Sequence, residues 1–234
     1  MSSNKENNGG ETELMMVVDK GYRDIVDMLL AHNCNVDLHS INGSNAMIWA
    51  TDNGHMDIVE VLLAHNCDLD LQNNNGETAL MVAACKGHNA IVDALLAHKC
   101  NPDLQNNNGE TALICASTND HKGIVDVLLA HNCNADLQTN NDWTALMYAA
   151  EKGHKNIVDV LLAHNCNVDL QDIKGENALM KAAANGHKNI VDVLLAHNCN
   201  PELQDNRGYT ALMFAAMKGH LRIEKKKQQL YYTL

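Results

Sequence analysis

The 234-residue chain is 46% hydrophobic but only 3% aromatic, so its core must be built from Ala, Leu, Ile, Val, Met and Cys, which suits closely stacked helices. A formal charge of -12 and a pI near 5.4 repel polyphosphate backbones and favour basic partners, and the single strongly basic cluster, Lys225-Lys226-Lys227, is too short to reverse that. Met1 to Gly10 lacks an apolar signal core and no run of about 18 apolar residues occurs, so the expectation is a soluble intracellular protein, cytoplasmic with the nucleus as the alternative, with no nucleic-acid and no membrane partner.

Residues 1–6 are polar and are expected to be a disordered tail. From there the chain repeats. The block Asp70 to Leu80 returns intact from Asp103 to Leu113, and shorter versions begin at Asp37, Asp136, Asp169 and Glu202, 33 residues apart. A fixed period of this length marks an array of supersecondary modules that bury their apolar faces on one another. The units run over about 7–39, 40–72, 73–105, 106–138, 139–171, 172–204 and 205–224. In the first, Glu13 and Asp19 stand where interior units carry Ala or a variable residue, which predicts a solvated outer side.

The third unit shows the elements most clearly. Asn74-Asn75-Gly76 tolerates positive φ and predicts the turn of a short β-hairpin finger. Thr78 caps a slim helix over Ala79 to Lys86, which Gly87 ends in left-handed geometry. A second helix buries Ile91, Val92, Leu95 and Leu96 and stops at Lys99, where the other units place Asn33, Asn66, Asn132, Asn165 and Asn198. The fourth unit breaks the frame. Asp120 replaces the closing Gly, Ser117 a core Ala, and Asp142 the turn Gly of the next finger, so the array is expected to be weakest there. The seventh keeps Thr210 to His220 and then turns polar. Residues 225–234 read either as a polar cap or as a fragment end.

The frame from Gly76 to Leu96, Gly-x-Thr-Ala-Leu-Met through Leu-Leu, resembles the ankyrin repeat, which has the same period and a Gly-x-Thr-Pro-Leu-His opening. The resemblance implies an all-α solenoid of stacked helix-turn-helix units with short β-hairpin fingers. It also implies that fingers and inner helices form a concave face that mediates protein recognition without catalysis. Two departures stand out. Met81, with Met15, Ile48, Ile114, Met147, Met180 and Met213, replaces the family's His, and the expectation is an apolar core ladder. Asp37, Asp70, Asp103, Asp136 and Asp169 occupy a position where relatives often hold a hydroxylatable Asn.

Six cysteines, Cys34, Cys67, Cys100, Cys133, Cys166 and Cys199, also recur every 33 residues. Equivalent positions lie roughly 10 Å apart, beyond the about 7 Å that a disulfide spans, so free core thiols are expected. His-Asn-Cys recurs as His32/Cys34, His65/Cys67, His131/Cys133, His164/Cys166 and His197/Cys199. One repeat supplies only two such ligands, whereas zinc needs about four converging, so scaffold is expected here and in the second ladder, His55 to His220. No metal, no cofactor and no catalytic residue is expected, because a catalytic constellation is unique and nearly every polar residue here has copies.

What varies between units is the finger tips and the exposed side of the first helix. Aromatics and Arg are the usual interface anchors, and they gather toward the C-terminal units. The expected partner-binding residues are Trp143, Tyr148, Arg207, Tyr209, Phe214, Ile173 and Lys174. Trp143 and Tyr209 are expected beyond the packed frame. Trp49, Tyr148 and Phe214 fit either partner binding or gap filling. The chain therefore reads as a monomeric, non-enzymatic module for a protein or peptide partner, with a structural spacer in a larger repeat scaffold as the alternative.

Overall fold

The computed structural model describes residues 6–220. The cap or fragment end expected at 225–234 lies outside the described residues, as does the expected tail except for Glu6, which forms an isolated antiparallel bridge with Thr12. Among the described residues are α1 Glu13–Asp19, α2 Arg23–Ala31, α3 Ala46–Asp52, α4 Met56–Ala64, α5 Ala79–Lys86, α6 Asn89–Ala97, α7 Ala112–Thr118, α8 Lys122–Ala130, α9 Ala145–Lys152, α10 Lys155–Ala163, α11 Ala178–Ala184, α12 Lys188–Ala196 and α13 Ala211–Met217. Each odd-numbered helix packs on the next odd one and each even on the next even, while the two helices of a unit pack on each other. The result is an all-helical repeat solenoid with two rows.

Local chemistry sets the helix ends. Thr12, Asn45, Thr78, Thr111, Thr144 and Asn177 precede the odd helices, and each side-chain oxygen accepts from the amide three residues on at 2.9–3.3 Å, satisfying an orphan donor of the first turn. Gly87 closes α5 with φ of 79°, and a Cβ there would lie 2.7 Å from His121 Cε1; both the angle and the space require glycine. Every even helix from α2 to α12 ends on a His whose Nδ1–H donates to the carbonyl four residues back at 2.7–3.0 Å. The next residue is left-handed, with φ of 54–64° at Asn33, Asn66, Lys99, Asn132, Asn165 and Asn198, as the sequence predicts.

The apolar ladder is core. Met15, Ile48, Met81, Ile114, Met147 and Met180 are all buried, while Met213 in the last described helix is 46% exposed. Each buried member contributes about 1.5–3 kcal/mol relative to exposure. The ladder cysteines are free and buried. Desolvation pushes the thiols of Cys67, Cys100, Cys133, Cys166 and Cys199 up to about 12, so they stay protonated and inert near neutrality.

One expectation needs correction. Where β-hairpins are expected, the fingers are five-residue turns: Asn73 N–H donates to Glu77 O and Gly76 N–H to Asn73 O. The pairing stops there because the flanking Gln72 side chain takes the Gly76 carbonyl and bridges to Gln105 O of the next finger. The outer side of the first unit is exposed, as expected, and carries apolar residues beside the charged ones. Tyr22, Ile25 and Met28 on or beside α2 are exposed, whereas Ile58 and Ile91, the counterparts of Ile25, are buried beneath a preceding unit. The irregular fourth unit folds as expected. Asp120 and Asp142 adopt φ of 60° and 59°, and the buried Ser117 hydroxyl has no partner, a condition that Thr51 shares.

Candidate interaction surface

The fingers are linked to one another before they meet anything else. The tip amides of Ile41, Asn74, Asn107, Asn140, Ile173 and Asn206 each donate to a carbonyl of the preceding finger, at 2.9–3.3 Å, the longest being Ile173 to Asn141. The side-chain amides of Asn74, Asn107, Asn140 and Asn206 add a second rung, to the carbonyls of Ile41, Asn74, Asn107 and Ile173. Below them runs a carboxylate rail: Asp37, Asp70, Asp103, Asp136 and Asp169 accept from amides 31 residues downstream at 2.7–3.1 Å. These charge-assisted bonds hold successive units in register. Asn74, Asn107, Asn140 and Asn206 at the variable tips are therefore spent inside the array.

The first residue of each finger decides what surrounds it. In the third and fourth fingers it is Asn73 or Asn106, whose amide donates to Glu77 or Glu110 at 2.9 and 2.8 Å. In the sixth and seventh it is Asp172 or Asp205, both buried. Asp172 cannot donate to Glu176 and would repel it, and a cation intervenes. Lys181, itself only 5% exposed, bonds Asp172 at 2.8 Å and also pairs with Glu176 at 2.5 Å. In the seventh finger the cation is local. Arg207 donates from Nε and a terminal nitrogen to Asp205 at 2.9 and 2.8 Å and approaches Glu176 at 3.6 Å. Burial opposes ionisation of Asp205, but hydrogen bonds from the Tyr209 amide and from Arg207 outweigh it and hold the carboxyl below the ordinary Asp value.

These cations lie over aromatic rings. Lys181 Nζ is 4.1 Å from the centre of Trp143, and Trp143 packs against Tyr148 at 4.8 Å between ring centres. Arg207 sits 5.0 Å from Tyr209 and 5.7 Å from Phe214, which meet edge to face at 6.2 Å. Five of the expected residues, Trp143, Tyr148, Arg207, Tyr209 and Phe214, thus form one network through Lys181 and Glu176. Ile173 and Lys174 lie apart, exposed on the sixth finger tip. Trp143 and Tyr209 do not stand beyond the packed frame as expected; both are half-buried against it, because their rings cover the cations and the neighbouring helix. Phe214 is buried. Lys181 escapes sequence reading, although it stands in the column Met16, Trp49, Val82, Cys115, Tyr148, Lys181, Phe214, where a charge among apolar residues was the signal.

Elsewhere the same face is plainer. Around Trp49 a shallow cavity of about 350 Å³ is lined by Asn42, Asp52, Asn73, Glu77 and Val82, which shows that finger and odd-helix side chains share one surface. Burial, with the Glu110 carboxylate, pushes the Tyr148 hydroxyl up, so it stays a neutral donor. The second His ladder bonds backbone: Nε2–H of His121, His154, His187 and His220 donates to carbonyls 36 residues upstream, at 3.0–3.3 Å. His55 and His88 lack this bond; the buried Nε2 of His88 has no partner, and the Asp52 carbonyl at the matching position accepts from Lys86 instead. Among the described residues no group of three or more His, Cys, Asp or Glu is placed to hold a metal ion, and no helix is long and apolar enough to cross a membrane.

A family model described as ankyrin repeats (3 copies) matches over residues 14–106, 90–172 and 164–225. No curated protein matches the chain. The matched residues span nearly all of the described array, the helical rows repeat with the same period, and the chain belongs to the ankyrin repeat family.

Proposed function

We propose that the chain is a non-catalytic recognition module that binds a protein or peptide on the face formed by the fingers and odd helices of units five to seven. Ankyrin repeats are generally protein–protein interaction modules and generally non-enzymatic. The observation that carries the placement is the aromatic and cationic network from Tyr148 to Phe214, the largest departure from repeat regularity on that face. Its rings are held in place before a partner arrives, which lowers the ordering cost of binding. Its two cations are already paired with three carboxylates, Asp172, Glu176 and Asp205, so the partner meets half-exposed rings set in a weakly acidic patch. Ile173 and Lys174 at the finger tip extend it toward the rim.

Capture of a partner by wild type, identification by mass spectrometry, and titration of the purified partner against variants tests this. Loss of more than tenfold in affinity for Trp143→Ala or Tyr209→Ala supports the placement; both within twofold would remove it. A second reading rests on the identical fingers at 73–77 and 106–110, in which two of three side-chain amides are engaged within the stack: those units serve as a spacer, and their finger substitutions should leave affinity unchanged.

A further inference from the structure

Two cysteines stand off the ladder, and they meet. Cys85 lies in the last turn of α5 and Cys115 in the middle of α7, on odd helices of adjacent units that pack directly. Their side chains are close enough to act on each other electrostatically. The counterparts one unit earlier, Asp52 and Val82, line the same surface cavity, so this pair of positions converges on the finger face by the geometry of the repeat. Cys85 is half-buried and Cys115 is 7% exposed, and the backbone of Cys85 is pinned across units by His121 Nε2, which donates to its carbonyl at 3.1 Å. The six ladder cysteines have no such neighbour and are all buried.

We infer that Cys85 and Cys115 form a peroxide-responsive dithiol, Cys85 reacting first and Cys115 resolving it to a disulfide that staples the third unit to the fourth. The neighbouring Cys115 thiol favours the Cys85 thiolate and draws it below the usual cysteine value, whereas Cys115 is pushed up by Cys85 and by burial. An accessible thiol of lowered pKa beside a resolving partner is the arrangement that makes a cysteine oxidant-sensitive. The Cys85 sulfur attacks hydrogen peroxide: an S–O bond forms, the O–O bond breaks, and hydroxide leaves with the thiol proton as water. Cys115 sulfur then attacks Cys85 sulfur; the S–S bond forms, the S–O bond breaks, and a second water leaves. Two thiols are oxidised by one electron each and one peroxide is reduced by two.

The test uses the full reduced chain, one equivalent of hydrogen peroxide, alkylation after denaturation, and peptide mapping. One intramolecular Cys85–Cys115 link is expected, lighter by two hydrogens and reversed by dithiothreitol, with the six ladder cysteines alkylated. Cys85 should react about tenfold faster than any ladder cysteine. Two variants borrow the residues of sibling units, Thr118 and Val82, and so suit the fold. Cys115→Val should abolish the link and leave a dimedone-trappable sulfenic acid on Cys85. Cys85→Thr should leave Cys115 unoxidised. Random oxidation of the ladder, no link in the wild-type chain, or unchanged oxidation of Cys115 in Cys85→Thr would each overturn the inference, and the wild-type map decides alone should a variant fail to fold.

Discussion

In the fingers at 73–77 and 106–110 two of the three side-chain amides are engaged within the array: Asn73 and Asn106 hold Glu77 and Glu110, and Asn74 and Asn107 reach the preceding finger, while Asn75 and Asn108 are exposed. In those at 139–143, 172–176 and 205–209 the first position passes from Asn to Thr139, Asp172 and Asp205, and the fifth from Glu to Trp143 and Tyr209 at the first and last. The backbone turn is the same in both groups. What differs is whether the side chains are consumed by the stack or stand over it. A repeat scaffold gains a distinctive surface by substituting the positions that do not carry the register, while the carboxylate rail from Asp37 to Asp169 continues beneath both groups.

The largest way to break the contrast is at its buried cation. Lys181→Met leaves Asp172 and Glu176 facing each other with little solvent, and removal of one partner from a buried ionic cluster costs about 3 kcal/mol or more. Urea unfolding followed by the fluorescence of Trp143, which lies beneath Lys181, should register that loss in units five to seven. A midpoint equal to wild type would mean that the cluster is solvated in practice. Next in size are the rings themselves. Trp143→Ala and Tyr209→Ala should each cost about 2 kcal/mol of partner affinity, while Asn75→Ala and Asn108→Ala, exposed in the plainer fingers, should cost nothing measurable in the same titration.

A smaller effect lies at the irregular fourth unit, between the two groups. Asp120 holds a left-handed conformation that costs roughly 1 kcal/mol for a residue with a Cβ. A Cβ at the equivalent glycines would crowd the next histidine, at 2.7 Å from His121 or His187, and the His154 to Thr118 bond is the longest of its ladder at 3.3 Å. The exposed Asp120–His154 contact at 3.5 Å offsets little. Asp120→Gly should therefore stabilise by about 1 kcal/mol. Hydrogen exchange over 112–146 should slow toward the rates of 79–111 in that variant. Unchanged exchange with no gain in midpoint would count against a local soft spot. Smallest is the finger ladder. Asn107→Ala removes one exposed rung and should cost about 0.5–1 kcal/mol in thermal unfolding.

The period, the Thr78 cap, the left-handed Asn positions and the core column were legible because each follows from the local backbone need of a single residue. The finger ladder was not. An Asn that bonds the finger 33 residues away looks the same in sequence as an Asn exposed to solvent, and only the stacking distance tells Asn74 from Asn75. Lys181 was hidden for a related reason: its burial depends on Asp172 and Trp143, which approach it only in the folded array. The Cys85–Cys115 pair needs positions 30 residues apart, three short of the repeat, and a search at the full period passes over it. The aromatics of units five to seven were legible as residues; that they form a cation-bridged network became visible in the structure alone.

The central claim is that units five to seven present the recognition face, and a hydrogen-exchange footprint of the chain with its captured partner tests it most directly. The account predicts that partner binding slows exchange across 139–152, 172–184 and 205–217, and leaves the even helices α4 to α8 and the fingers at 73–77 and 106–110 at their free rates. Protection confined to those even helices, or to units one to four, would contradict it.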